Sequence, residues 1–175
     1  RAVIEVRPEA VSLAIRELCP PDTNEKSAAE FFSYLHRERI APQYILYSKE
    51  DILHFANLLE RGIIPDEKIS VLLVLGRYSE NQESNPADLE PLVRALPPIH
   101  NWSLCAFGAS ETACMLEAIG RGGHCRVGFE NNLFMSDGSL ARDNAALVSS
   151  VIDGAAILER HIASTTQARE FLGMR

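Results

Sequence analysis

The chain has 175 residues, of which 46% are apolar and 23% charged, with a mean hydropathy of −0.05. This composition fits a globular protein and excludes a disordered chain, and no apolar run is long enough to span a membrane. The formal net charge of −7 disfavours nucleic-acid binding, which needs clustered Lys and Arg. We therefore expect neither a nucleic-acid partner nor a membrane partner.

Short apolar runs alternate with longer helical patterns along the chain. The runs predict five strands, over 9–13, 44–47, 69–75, 102–106 and 124–128. Apolar residues spaced three and four apart predict helices between the strands, over 25–39, from 49 to 61, from 86 onward and over 111–121. Another helix is predicted after the last strand, over about 140–160. A short last helix is expected to begin with Thr165 as its cap.

Capping residues and apolar stripes support the first two helices. Thr23 or Asn24 can cap the first, and Ser48 can cap the second with Asp51 at its third helical position. The predicted apolar stripes are Ala28, Phe31, Phe32 and Leu35 in the first helix, and Ile52, Leu53, Ala56 and Leu59 in the second.

Five strands separated by helices predict an α/β fold with a parallel sheet of right-handed βαβ units. No linker or low-complexity stretch divides the chain, so we expect a single domain over 1–175. Periodicity does not distinguish an open doubly wound sheet from a barrel. Both architectures place their sites beyond the carboxyl ends of the strands, so the loops there are the places to look for chemistry.

The four cysteines are scattered, with no Cys-x-x-Cys pair: Cys19, Cys105, Cys114 and Cys125. This pattern favours buried, reduced thiols in a cytoplasmic protein over a disulfide framework or a zinc cluster.

The segment 122–132, with the sequence GGHCRVGFENN, has the densest set of candidate site residues. Arg126 and Gly128 share one face of an extended strand, and Glu130 follows just beyond its predicted end. An arginine there can hold a ligand carboxylate or stabilise an oxyanion. Glu130 can serve as a metal ligand or a general base. The alternative is a structural Arg126–Glu130 pair that joins the strand end to its loop.

This run resembles the signature GGH-x-R-x-G-x-E-[DN]-N of the β-keto acid cleavage enzymes, whose best-described activity is 3-keto-5-aminohexanoate cleavage. Further similarities cover nearly the whole chain, and each is weak alone. They are RPE at 7–9, VLG at 74–76, Trp102 at the start of the fourth strand, LA-x-x-NA-x-LV at 140–148 and A-x-T-x-QARE-x-LG at 163–173. Their shared order and spacing indicate homology.

The resemblance implies a (β/α)8 TIM barrel, which usually needs about 250 residues. This chain would supply about five βα units, strands 4–8, and the C-terminal helices. The implied activity is that of a zinc-dependent acyltransferase that condenses a β-keto acid with acetyl-CoA and yields acetoacetate and a CoA thioester. The expected partners are therefore a β-keto acid and a CoA thioester, with acetyl-CoA as co-substrate. A cytoplasmic homo-oligomer is also expected.

In this family, two histidines of a His-x-His motif and the signature Glu bind zinc. Glu130 matches that metal ligand, and Arg126 matches the residue that binds the keto-acid carboxylate. The His-x-His motif is absent from this sequence, so the two histidine ligands are expected to lie outside it or to have been lost. The same is expected of three of the eight barrel strands.

Several positions depart from the family pattern at the strand ends. Asn131 stands where the family has an Asp that transfers protons, and an amide is no base at neutral pH. Ala109 stands where an Arg is usual. Glu17 is a candidate for the missing second carboxylate, so Arg126, Asn131 and Glu17 are the expected catalytic or pocket-lining residues.

Three functions stay open on the sequence alone. The first is an active zinc-dependent acyltransferase, and the second is a diverged or catalytically silent homologue that acts as a ligand-binding or assembly subunit. The substitutions at the strand ends favour divergence, although the resemblance makes zinc-dependent acyl chemistry the best single description. The third is an unrelated doubly wound small-molecule binder.

Overall fold

The structure, a computed structural model, describes residues 2–21, 25–65, 68–99 and 101–174. Five strands form one parallel sheet, in which the order in space follows the order along the chain. The strands are β1 (Ala10–Ala14), β2 (Ala41–Leu46), β3 (Ser70–Leu75), β4 (Asn101–Ala106) and β5 (His124–Cys125).

Helices follow the strands in alternation. Those in the described ranges are α1 (Ala2–Val6), α2 (Ile15–Leu18), α3 (Lys26–Glu38), α4 (Lys49–Glu60), α5 (Leu89–Ala95), α6 (Glu111–Gly120), α7 (Asn144–Ile157) and α8 (Thr165–Phe171). Two 3-10 turns, Glu80–Gln82 and Pro86–Asp88, precede α5. The predicted α/β class with a parallel sheet is confirmed, and the arrangement is that of part of a TIM barrel. None of the helices in these ranges is long and apolar enough to cross a membrane.

The first of two compact units comprises 1–71, 95–101 and 163–175. Within it, β1 pairs in parallel with β2, and Leu13 lies opposite Tyr44. Its core is aromatic, because Phe32, Tyr44 and Phe55 are fully buried. The Tyr44 ring lies 6.0 Å from that of Phe32 and 5.1 Å from that of Phe55, centroid to centroid. Such ring pairs add stability beyond the area they bury.

The cap of α4 forms as predicted, since Ser48 Oγ accepts from the Asp51 N–H at 3.3 Å. Asp51 is itself buried, and its carboxylate accepts from the Tyr47 N–H at 2.8 Å. An ion pair with Arg16, also at 2.8 Å, balances the buried charge. The start of α4 is thereby joined to α2.

The predicted stripe of α4 is confirmed at Ile52 and wrong at its other three positions. Leu53 is 56% exposed, and the buried apolar residues are Ile52, Phe55 and Leu58. These positions recur every three residues, so the buried face lies to one side of the stripe inferred from the sequence. In α3 the buried residues are Ala28, Phe32 and Leu35, as predicted, while Phe31 is half-buried.

The second compact unit comprises 72–94 and 102–162. Here β4 pairs in parallel with β5, and Ser103 lies opposite His124. Helices α6 and α7 of this unit approach closely, because a Cβ on Gly154 of α7 would lie 2.3 Å from the Leu116 side chain of α6. All six residues of β3 are buried, which fits the prediction of a strand covered on both faces.

Several element boundaries differ from the prediction. β2 begins three residues earlier than predicted and includes Pro42 as its second residue. Proline lacks the N–H that a strand interior uses, so it is confined to strand starts and edges. β5 ends at Cys125, so Arg126 and Gly128 lie in a loop and not on one strand face. The predicted caps Thr23 and Asn24 lie outside the described residues.

The last two helices begin at caps that the sequence analysis did not name. Asp143 caps α7, its carboxylate accepting from the Ala146 N–H at 2.9 Å. Ser164, and not Thr165, caps α8, where Gln167 completes a capping box. The helix predicted over 140–160 is therefore shorter, since Asp143 offers the backbone a competing hydrogen bond at its start.

We expect Gly123→Ala to lower the free energy of unfolding by about 1–3 kcal/mol, the usual cost of overpacking a core. A Cβ at Gly123 would lie 2.4 Å from two ring carbons of Trp102, which is buried. Gly120→Ala is the matched control, since a Cβ there meets nothing within 4 Å. Urea denaturation measures both, and equal effects at the two glycines would contradict the expectation.

Candidate active site

Residues 126–132, which we call the signature loop, follow β5 at the carboxyl end of the sheet. The Arg126 N–H donates to the Leu104 carbonyl of β4 at 2.8 Å. The N–H groups of Asn131 and Asn132 both donate to the Gly128 carbonyl, at 2.9 and 3.2 Å. These bonds make the loop a compact turn.

Asn144, the first residue of α7, fixes the outer side of the signature loop. Its Oδ1 accepts from the Phe129 N–H at 2.8 Å. The same oxygen would lie 3.2 Å from a Cβ on Gly128, whose φ is +155°. The close approach and the backbone conformation together explain the glycine in the signature.

Arg126 and Glu130 are brought together as an exposed ion pair. Arg126 Nη2 lies 3.0 Å from Glu130 Oε2, and the two side chains are 41% and 71% exposed. An exposed ion pair of this kind contributes little to stability, about 0–1 kcal/mol. A ligand can therefore replace either partner at low cost in free energy.

The other two candidate residues, Asn131 and Glu17, belong to different compact units. Asn131 is buried beneath the signature loop, at 8% exposure, and its carbonyl accepts from the Gly108 N–H at 3.1 Å. This bond joins the signature loop to the loop between β4 and α6. Glu17 is an exposed residue of α2 in the first compact unit, whereas Arg126, Glu130 and Asn131 belong to the second.

Glu111 is a buried acidic residue that the sequence analysis missed. It is the first residue of α6 and only 1% exposed. Burial raises the pKa of its carboxyl, while the nearby polar groups of the Asn132 side chain, the Gly128 backbone and the Asn131 side chain partly oppose that rise. A sequence signal existed: Glu111 lies on the same helical face as Cys114, Met115 and Ala118, which are all buried.

Asn132 ties the end of the signature loop to Glu111 and to the following chain. Its Nδ2 donates to Glu111 Oε2 at 3.2 Å and to the Phe134 carbonyl at 2.6 Å. Its Oδ1 accepts from the Phe134 N–H at 2.9 Å. Since Asn132 is 4% exposed, its role is structural.

The four cysteines are free thiols, as predicted, and three of them are buried. Burial raises the pKa of both Cys105 and Cys125 to about 12. Both thiols are therefore neutral at physiological pH, which disfavours them as nucleophiles.

The described residues do not by themselves fit a zinc centre. Zinc sites in proteins use three or four side-chain ligands. The described ranges contain no cluster of three His, Cys, Asp or Glu side chains that could hold a metal ion. Glu130 offers one carboxylate, which pairs with Arg126.

The alternating strands and helices, with candidate residues in the loop beyond β5, define part of a TIM-barrel α/β protein. A family model described as beta-keto acid cleavage enzyme matches residues 1–174. The chain belongs to this family, as its signature predicted.

Three relatives show the range of the family. The 3-keto-5-aminohexanoate cleavage enzymes of Acetoanaerobium sticklandii and Fusobacterium nucleatum are 30% and 28% identical, over 86% of this chain and 54% of their own length. A 3-oxoadipate:acetyl-CoA acetyltransferase of Cupriavidus necator is 30% identical over 98% of this chain and 62% of its own length. The chain thus spans about half to three fifths of these curated relatives.

We expect the unmodified protein to lose stability relative to Glu111→Gln as the pH rises. The pKa of Glu111 is raised in the folded state above its ordinary 4.5, so the native protein holds a proton that the unfolded chain releases. Its contribution is therefore full below pH 4.5 and is lost as the pH rises through the folded-state pKa.

Urea denaturation of both proteins between pH 4.5 and 8 measures this difference. The ionisable groups facing Glu111 include the thiols of Cys105, Cys114 and Cys125. Burial raises the pKa of all three, so they stay neutral over this range. A stability difference that does not change with pH would contradict the expectation.

Proposed function

We propose that this protein takes part in β-keto acid cleavage by acetyl transfer. A β-keto acid R–CO–CH2–COO⁻ reacts with acetyl-CoA, and the carbon–carbon bond beside the ketone breaks, giving acetoacetate and the thioester R–CO–SCoA. The observation that supports this most directly is the exposed Arg126–Glu130 pair in the signature loop of a chain that belongs to the family.

Names of relatives support the substrate class. Besides the Cupriavidus acetyltransferase, a relative from Paraburkholderia graminis is named 3,5-dioxohexanoate:acetyl-CoA acetone transferase, at 25% identity over 76% of this chain and 44% of its own length. Both names pair a keto acid with acetyl-CoA.

Arg126 is proposed to bind the carboxylate of the keto acid. A guanidinium group is always charged and matches a carboxylate with two parallel hydrogen bonds. Its present partner, Glu130, is 71% exposed, so an incoming carboxylate can take that place. In a chain with a net charge of −7, a local cation of this kind offsets the general repulsion of an anionic substrate.

Glu130 is proposed as one ligand of a zinc ion. No group of three potential ligands lies together in the described ranges, so this proposal requires further ligands from outside them. Asn131, which directly follows Glu130 in the second compact unit, is proposed to contribute to the lining of the substrate pocket.

A second candidate function is a catalytically silent homologue that binds ligands or assembles with other subunits. The specific observation in its favour is Asn131, where the resemblance places a proton-transferring acid. The amide cannot exchange a proton as a base, and it is buried.

We also propose a homo-oligomer in the cytoplasm. Large apolar side chains of α7 and the chain after it are exposed, which is typical of a surface that another protein covers: Val148, Ile152, Ile157, Leu158 and Ile162. The four free thiols are typical of a reducing compartment.

Arg126→Gln should lower kcat/KM for acetyl transfer about 10- to 150-fold, because a charged hydrogen bond is worth about 1.5–3 kcal/mol. The matched control is Arg142→Gln, which removes an arginine that is 85% exposed and paired with Asp143. The assay follows acetoacetate formed from a β-keto acid, such as 3-oxoadipate, and acetyl-CoA. Equal activity in both variants would exclude Arg126 from substrate binding, and no acetoacetate from the unmodified protein would favour the silent homologue.

Glu130→Gln should reduce the zinc content of the full protein after dialysis against a weak chelator, because the amide loses the negative charge that a zinc ligand provides. Glu159→Gln, at an exposed position after α7, is the matched control. Elemental analysis gives the metal per protein chain. Equal zinc content in the two variants would remove Glu130 from the ligand set.

A further inference from the structure

A buried polar cluster lies beneath the exposed Arg126–Glu130 pair. It consists of the side chains of Glu111, Asn131 and Asn132, which are 1%, 8% and 4% exposed. Polar groups buried to this degree cost free energy unless they are hydrogen-bonded. The proposed function assigns no role to Glu111.

Two oxygens of this cluster lack partners. Within the described part of the chain, Glu111 Oε1 and Asn131 Oδ1 are both buried without a hydrogen-bond partner. The Asn131 side chain nevertheless lies close enough to hydrogen-bond the Glu111 carboxyl. A neutral carboxylic acid would satisfy such an arrangement, because it brings one O–H donor to a site that otherwise holds acceptors.

The cluster sets the position of the signature loop. The Asn132 side chain donates to Glu111 Oε2, and the main-chain carbonyl of Asn131 accepts from the Gly108 N–H. Both asparagines follow Glu130 within two residues, and the Glu130 side chain is 71% exposed and paired with Arg126. A shift of the Glu111 carboxyl would therefore move the backbone that presents the exposed pair.

We propose that Glu111 and Asn131 form one carboxyl–amide pair that positions the signature loop, with the acid on α6 and the amide on the loop. The inference rests on the proposed function, because the loop that the pair positions carries Arg126 and Glu130. Among the described residues, Glu111 Oε1 and Asn131 Oδ1 are both buried acceptors without a partner, and one O–H on the Glu111 carboxyl satisfies both. Asn131 is therefore the amide half of the pair and Glu111 its acid half.

The test exchanges the two groups. Asn131→Asp places a second carboxyl beside Glu111, and we expect it to lower the Tm by at least about 2–4 °C. Adding Glu111→Gln restores one acid and one amide in exchanged positions, and should recover at least half of that loss. The matched control adds Glu117→Gln instead, at an exposed position of the same helix, and should recover nothing.

The outcomes separate the pair from independent packing effects. Recovery in the exchanged variant alone supports the pair, whereas shifts that simply add, or equal recovery with Glu117→Gln, overturn it. If Asn131→Asp does not fold, folding of the exchanged variant decides: a folded protein supports the pair, and an unfolded one overturns it.

A kinetic measurement tests the positioning role. In Asn131→Asp, displacement of Arg126 should raise the KM for the keto acid more than the KM for acetyl-CoA. Adding Glu111→Gln should bring the KM for the keto acid back towards that of the unmodified protein. Equal changes in both KM values would overturn the positioning role. Absence of acetyl transfer in every variant would contradict the proposed function, while the Tm comparison would still decide the pair.

Discussion

Burial of the Glu111 side chain constrains the two loops that follow β4 and β5 in the second unit. An acidic side chain at 1% exposure is stable only where neighbouring groups hydrogen-bond it or where it keeps its proton. Asn132 supplies such a bond from the signature loop. The Gly108 N–H also donates to the main-chain carbonyl of Asn131, and this bond joins the loop after β4 to the signature loop. The position of the exposed arginine and glutamate follows from these buried contacts.

The candidate site therefore has a fixed, buried support and an exposed ion pair whose partners can be exchanged. The support consists of side chains almost without solvent contact, together with the turn that closes on the Gly128 carbonyl. The surface is the Arg126–Glu130 ion pair, whose two members remain 41% and 71% exposed. A ligand that replaces one ionic partner need not deform the backbone beneath it. Preorganisation of this kind lowers the entropic cost of binding a charged substrate.

The sequence predicted the fold class and the meeting of Arg126 with Glu130, because both depend on local spacing. Boundaries were less predictable: Gly128 turns the chain, so β5 is two residues long. In α4, two overlapping apolar stripes were available, and only the packing of Phe55 against Tyr44 selects one. Glu111 was missed because an acidic residue in the first turn of a helix is usually exposed and favoured by the helix dipole. Its burial depends on a loop 20 residues further along the chain, and no local pattern records that contact.

The buried thiols have a practical consequence for following the signature loop in solution. Burial raises the pKa of all four native cysteines, two of them to about 12, so maleimide reagents meet almost no native thiolate near neutral pH. A cysteine introduced at Phe129, which is 40% exposed on the signature loop, would be labelled selectively. A fluorophore attached there would report binding of the proposed keto acid beside Arg126 in real time, without prior removal of any native cysteine.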